Sequence, residues 1–275
     1  MISSMTLVGC IVSLFISLLL PVIAISVYSY QNKGGKMVSA WALGAVGFVV
    51  SQLLLRVPIL SALQGMPWFT DFSENHGFLF AFTLAFTAGL FELAGRFVVA
   101  KLLSSKNLNY KRSLAAGLGH GGIEAIILVG ITYINNLTYI AMINSGTFDT
   151  VVAQTAAMGV DVSQLELIRQ QLLSTSPVLF LLAGFERLLA MTGHVAMSML
   201  VCYGVAYRKA LPCTLLCLGI HTLMDLTAGI SLALPQSIAY PIIYTTLTLM
   251  AVLSLIVIRK LRRCWKKEVS YDPQA

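Results

Sequence analysis

FLFAFTLAFTAGLFELAGRFVVAKLL, residues 78–103, is apolar for long enough to cross a bilayer, yet it holds Glu92 and Arg96 in its middle. As an α-helix rising about 1.5 Å per residue, the run exceeds a hydrocarbon core of roughly 30 Å. Its carboxylate and guanidinium are separated by one helical turn and so share a face. Further apolar runs cover residues 5–29, 37–60, 113–134, 177–206, 210–232 and 239–258. With 57% hydrophobic residues, 11% charged residues and a mean hydropathy of +0.84, a soluble globule of 275 residues is excluded. Only helices or closed barrels satisfy the backbone in lipid, and runs this long are helices. The expected fold is all-α: about seven transmembrane helices in one bundle, a single transmembrane domain over 1–275.

The net charge of +7 does not point to nucleic acid, because the basic residues sit in short loops and the C-terminal tail. Lys33 and Lys36 mark the first loop; Lys106, Lys111 and Arg112, with Lys101 just before them, mark the third. Arg208 and Lys209 mark the fifth, and Arg259, Lys260, Arg262, Arg263, Lys266 and Lys267 fill the tail at 259–275. The second loop carries Asp71 and Glu74, and the fourth carries Asp149, Asp161 and Glu166 against Arg169. By the positive-inside rule the odd loops and the C-terminus are cytoplasmic and the N-terminus is outside. The first span begins close to Met1 without a basic leader or a small-residue cleavage site, so it is retained as a helix.

Cys10, Cys202, Cys213, Cys217 and Cys264 imply no disulfide framework. Cys213 and Cys217 share a helix face, as metal ligands would, but small apolar filler is the commoner use. The fourth loop, about 135–176, contains Ser163 followed by Glu166, the pattern of a capping box, and then Leu165, Ile168, Leu172 and Leu173 near one face. An amphipathic helix is expected there at the outer surface, either packed over the bundle or serving as a substrate lid. Asn136-Leu137-Thr138 matches a glycosylation sequon, a cheap match that carries no weight.

A charge in a spanning helix costs on the order of 2.5 to 3.5 kcal/mol, so residues retained there have a use. This chain keeps Arg56, Glu92, Arg96, His120, Glu124, Glu186, Arg187, His194, His221 and Asp225 in its spans. Glu92 with Arg96, His120 with Glu124, and His221 with Asp225 each share a face at i,i+4. Arg187 and His194, seven apart, share another, whereas Glu186 points roughly 80° away from His194. Counted from the basic helix ends at about 1.5 Å per residue, Glu92, Glu124, His194 and His221 all lie about 16 to 18 Å deep, near the midplane. Arg96 and His120 fall at about 10 Å by the same count.

Two carboxylates and two imidazoles in one layer suit peptide hydrolysis. A buried glutamate can activate water, and histidines can donate to the oxyanion. Arg96 would hold Glu92 by a paired charge. Alternatively His120, His194 and His221, with Glu and Asp nearby, can ligate a metal such as zinc. The sequence has no HExxH, which ranks the metal second. Structural readings stand beside these: an ion pair for Glu92–Arg96, helix packing for His120 and Glu124 amid Gly117, Gly119, Gly121 and Gly122, an interhelical anchor for Arg56, and a structural pair for Glu186–Arg187.

The order E-x3-R at Glu92–Arg96, HGGIE at His120–Glu124, ER at Glu186–Arg187 followed by His194, and H-x3-D at His221–Asp225 resembles the YhfC family of intramembrane peptidases. The resemblance extends over nearly the whole chain. It implies kinship with the CAAX prenyl-protease and bacteriocin-processing enzymes, with PrsW, and with a scaffold subunit of gamma-secretase. The CAAX signature is E-E-x3-R, F-x3-H and H-x3-N; here Phe91 replaces the first Glu, Ala116 and Ala190 stand where Phe would precede His120 and His194, and Asp225 replaces Asn. The resemblance implies a multi-pass protein of a bacterial plasma membrane that cleaves membrane proteins or peptides. Glu92, Arg96, Glu124, His194, His221 and Asp225 are then the catalytic candidates. Two other classes stay open: a proton-coupled transporter, since membrane carboxylate and His chains also relay protons, and a catalytically silent scaffold. The internal repeats common in transporters are not apparent.

Overall fold

A computed structural model describes residues 1–32, 34–105, 108–229 and 234–270, the last five by backbone alone. Lys33 and Lys106 of the basic loops, residues 230–232 at the expected end of the sixth span, residues 271–275 of the tail and the side chains of Lys266 and Lys267 lie outside the described residues. The regular elements among the described residues are all helical: α1 (Ser4–Gln31), α2 (Gly35–Gln64), α3 (Pro67–Asn75), α4 (Gly77–Ser104), α5 (Tyr110–Ser145), α6 (Thr147–Ala157), α7 (Ser163–Ser174), α8 (Pro177–Ala206), α9 (Ala210–Gly229) and α10 (Gln236–Ser270). Seven of them, α1, α2, α4, α5, α8, α9 and α10, are long and apolar enough to cross a membrane. Leu54, Leu211, Leu215, Leu249 and Leu253 are each 60% or more exposed. Water would not tolerate so many bare leucines, but lipid solvates them. The chain is a multi-pass membrane protein.

Three stretches differ from the sequence reading. Residues 67–75, expected as loop, form α3, with Pro67 in its first turn, where a missing N–H costs nothing. The helix expected to stop at 134 runs on to Ser145. Asn135 and Asn136 suggested a loop, but Tyr133 and Ile140, two turns apart, keep one face buried against Ile2, Cys10, Leu172 and Phe180. The segment after Ser145 is then largely helical, as α6 and α7. α7 forms where expected, without the capping box. Asp161 takes that role, accepting from the Ser163 amide at 2.9 Å and the Ser163 hydroxyl at 2.7 Å, while Glu166 turns to Arg169 at 3.5 Å. Those two bonds hold the Asp161 carboxyl below the usual aspartate value. Leu172 is buried and Leu165 and Ile168 half-buried, but Leu173 is 53% exposed, so the inward stripe is narrower than the sequence suggested.

The chain divides into two compact units. Met1–Val22 and Ala125–Leu188 form one. In it, the Ser13 hydroxyl donates to the Phe180 carbonyl at 2.5 Å and accepts from the Gly184 amide at 3.0 Å, and the Tyr133 hydroxyl donates to the same carbonyl at 3.0 Å. These bonds stand in for water that lipid cannot supply.

The other unit comprises Ile23–Glu124 and Leu189–Ala275. Small residues decide its packing. A Cβ at Gly44 would collide with the Ala116 carbonyl, and one at Gly119 with the Trp41 carbonyl, so α2 and α5 approach through bare backbone. Gly121 does the same for α5 against Met191 and His194 of α8. α2 widens into a π-helical turn over Val49–Arg56, shifting the phase of Gln52 and Arg56 relative to the helix before them.

Candidate active site

α4 supplies the centre of the cluster. Helical side chains lean toward the helix N-terminus, so Arg96 folds back over the preceding turn and its Nη2 donates to Glu92 Oε2 at 2.9 Å. His120 Nε2 from α5 reaches the same oxygen at 2.9 Å and His221 Nε2 from α9 at 2.8 Å. Gln52 Nε2 from α2 donates to Glu92 Oε1 at 2.8 Å. One carboxylate is therefore gripped by residues of four helices.

Arg96 Nη2 also lies 2.6 Å from His194 Nδ1 on α8. A guanidinium only donates, so Nδ1 accepts, and the proton of the neutral ring is assigned to Nε2. That nitrogen faces Glu124 Oε2 at 2.9 Å. His221 presents its other nitrogen, Nδ1, to Asp225 Oδ2 at 3.4 Å, a distance that orients the ring without a tight bond. The three rings touch: His120 and His194 stack at 5.6 Å between centroids, and His221 meets His194 edge-on at 5.4 Å.

Glu92, Arg96, His120, Glu124, His194 and His221 are all buried, none more than 8% exposed, while the Asp225 side chain keeps 33% of its surface. Charges so buried cost several kcal/mol each unless paired, and here each carboxylate has a cation or imidazole within reach. Arg96 and His120, which a depth count put in a lower layer than Glu92 and His221, meet them at one oxygen, because side-chain length spans the turn between the layers. Glu186 and Arg187 belong to the other unit, where Arg187 Nη2 donates to Glu186 Oε1 at 2.5 Å.

Gln52 escaped the sequence reading as a partner of Glu92. Its signal was an amide inside a span, one turn before Arg56. Arg56 itself anchors α2 to α4, donating to the Leu84 carbonyl at 2.7 Å and to Gln52 Oε1 at 3.3 Å.

Ligand atoms of Glu92, His120, Glu124 and His194 all lie within 4.8 Å of one another. Two imidazole nitrogens and two carboxylate oxygens, buried and convergent, are the donor types that zinc takes. For His194 to ligate through Nε2, the Arg96 contact at Nδ1 has to relax, since a neutral ring cannot accept on both nitrogens. His120 Nε2, which donates to Glu92, has likewise to give up its proton; with those two adjustments the residues fit a metal. A cavity of about 10 Å³ beside them, lined by Arg96, His120, Ser198 and Cys202 among others, has room for about one water.

The profile of the YhfC intramembrane metalloprotease family matches residues 16–256. The uncharacterized membrane protein YhfC of Bacillus subtilis (strain 168) is 31% identical over 183 residues, covering 66% of this chain and 69% of that protein. No solved structure matches the chain. A family match over most of the length, joined to a relative at that identity, means that the chain belongs to the YhfC family.

Proposed function

We propose that the protein is an intramembrane endopeptidase that hydrolyses peptide bonds of membrane-associated proteins or peptides at the Glu92 cluster. The observation that carries this reading is the convergence of Arg96, His120 and His221 on one buried glutamate oxygen at 2.8 to 2.9 Å, inside membrane-spanning helices. The family's description as intramembrane metalloproteases supports it and favours a metal-assisted form over a glutamate acting alone.

His120, His194 and Glu124, with Glu92 alongside, would hold a divalent ion such as zinc. Bound there, it would polarise the scissile carbonyl and acidify a water. The chain's own residues do the rest. Glu92 Oε2 takes the proton of the attacking water and returns it to the leaving amine. Arg96 and Gln52 fix that carboxylate from opposite oxygens. His221, oriented by Asp225, turns its Nε2–H from Glu92 to the developing oxyanion. Burial keeps bulk water out of the cluster.

Purified protein assayed on a transmembrane peptide tests this directly. Glu92→Gln is expected to lower cleavage at least about a hundredfold while the protein still expresses and folds. Zinc near one per chain, lost in His120→Ala, is expected alongside. Full cleavage by both Glu92→Gln and His221→Ala would refute the site. Cleavage that survives complete chelation would return the mechanism to the glutamate alone.

A further inference from the structure

Away from the Glu92 cluster, the ends of three spans surround an open pocket of about 660 Å³. Gln31 closes α1, Tyr110 opens α5, and Trp265 sits in the basic stretch that follows the apolar run of α10; all three line it, together with Tyr28, Lys111 and Arg262. A volume in this range suits a small ligand or a headgroup rather than a single water.

The charge in the pocket is one-sided. Lys111 and Arg262 are its cations, and neither pairs with a carboxylate among the described residues. Arg262 instead lies over the Tyr110 ring at 5.8 Å from its centroid. Among the described residues, none that lines it is acidic. The start of α5 adds the positive end of its dipole, and Asn109 Oδ1 already satisfies the Arg112 amide at 3.1 Å. The walls are aromatic: Tyr110 meets Trp265 edge-on at 6.4 Å, and the Tyr28 hydroxyl donates to the Lys111 carbonyl at 3.2 Å, closing α1 onto α5. Two unpaired cations at the mouth of an aromatic cup, where spans end, match an anionic head above an apolar body.

We propose that this pocket binds a phosphate group, carried by an anionic phospholipid headgroup or supplied as free phosphate. Lys111 and Arg262 contact the phosphate oxygens, and the Tyr28, Tyr110 and Trp265 rings pack against what is attached to it. Each cation near a membrane surface contributes about 1 kcal/mol, so losing both weakens binding about thirtyfold.

Native mass spectrometry of the full chain in detergent, titrated with phosphatidylglycerol, phosphatidylcholine or inorganic phosphate, reads this out. Wild-type protein is expected to retain phosphatidylglycerol in preference to phosphatidylcholine. The Lys111→Gln/Arg262→Gln variant should bind it about thirtyfold more weakly, and Arg263→Gln, an exposed neighbour outside the lining, as the wild type does. If the double variant unfolds, Lys111→Arg/Arg262→Lys serves in its place: it must bind as the wild type does, and weakened binding would overturn the proposal. Displacement of the lipid by inorganic phosphate would assign the pocket to the phosphate itself, and lipid binding indifferent to phosphate would assign it to the whole headgroup. Equal retention of phosphatidylglycerol by wild type and the Gln variant, with no effect of phosphate, would overturn the proposal, as would equal retention of phosphatidylcholine.

Discussion

Replacing Arg96 by Met removes the one permanent cation of the cluster and leaves its shape nearly intact. Two charge-assisted contacts vanish, to Glu92 at 2.9 Å and to His194 at 2.6 Å. With Arg96 3% and Glu92 4% exposed, water cannot replace what is lost. Removing one partner of such a buried pair costs about 3 to 5 kcal/mol, chiefly because the remaining charge is stranded. At roughly 2 to 4 °C per kcal/mol for a chain of this size, the unfolding midpoint should fall by about 10 °C. Cys10, Cys202 and Cys217, at most 2% exposed, give a built-in reporter, since a thiol-reactive dye gains signal above that of half-buried Cys264 only when they open. The companion variant Glu92→Gln/Arg96→Met strands no charge and should regain at least half of the loss. A fall of less than about 2 °C for Arg96→Met, or a double variant no better than the single, would refute the idea that the guanidinium neutralises Glu92.

Three further outcomes are expected. Asp225→Asn should lower cleavage about ten- to a hundredfold while leaving the melting midpoint nearly unchanged, because the side chain is a third exposed and acts by orienting His221; parallel activity and dye-based melting assays check it. Gly119→Val should destabilise the protein by about 1 to 3 kcal/mol by driving a side chain into the Trp41 carbonyl, whereas Gly219→Ala, whose Cβ meets nothing within 4 Å, should stabilise it by up to about 1 kcal/mol in the same melts.

The membrane architecture was legible because hydrophobic length is a one-dimensional property: seven runs gave seven helices. The cluster was legible for a related reason, since ionisable residues are too costly in lipid to be there by accident, and i,i+4 spacing fixed the faces of Glu92–Arg96 and His221–Asp225. What the sequence hid is three-dimensional. Asn135 and Asn136 looked like a loop because the burial of Tyr133 and Ile140 that extends α5 depends on chain far away, at Ile2 and Phe180. The capping-box pattern at Ser163 was local and weak, and Asp161 outcompeted it from two residues upstream. Glu186 and Arg187 stood in the same span as His194, but a helix can serve two compact units, and these residues fall in the one without the cluster. Gln52 was invisible as a partner because nothing in a string of letters announces that a helix has widened beneath it.

That wide turn over Val49–Arg56 makes α2 unusually sensitive to insertion and deletion. Deleting one residue there would restore the ordinary α-helical repeat, leave nearly every backbone N–H with a carbonyl, and barely alter the hydropathy profile. Yet one side of the helix would rotate by about 100° against the other. Arg56 bonds to α4 from the last residue of the turn and Gln52 to Glu92 from its middle, so both grips could not survive a rotation between them. In this segment a frame-preserving loss of a single codon would be more damaging than most substitutions, for reasons of register alone.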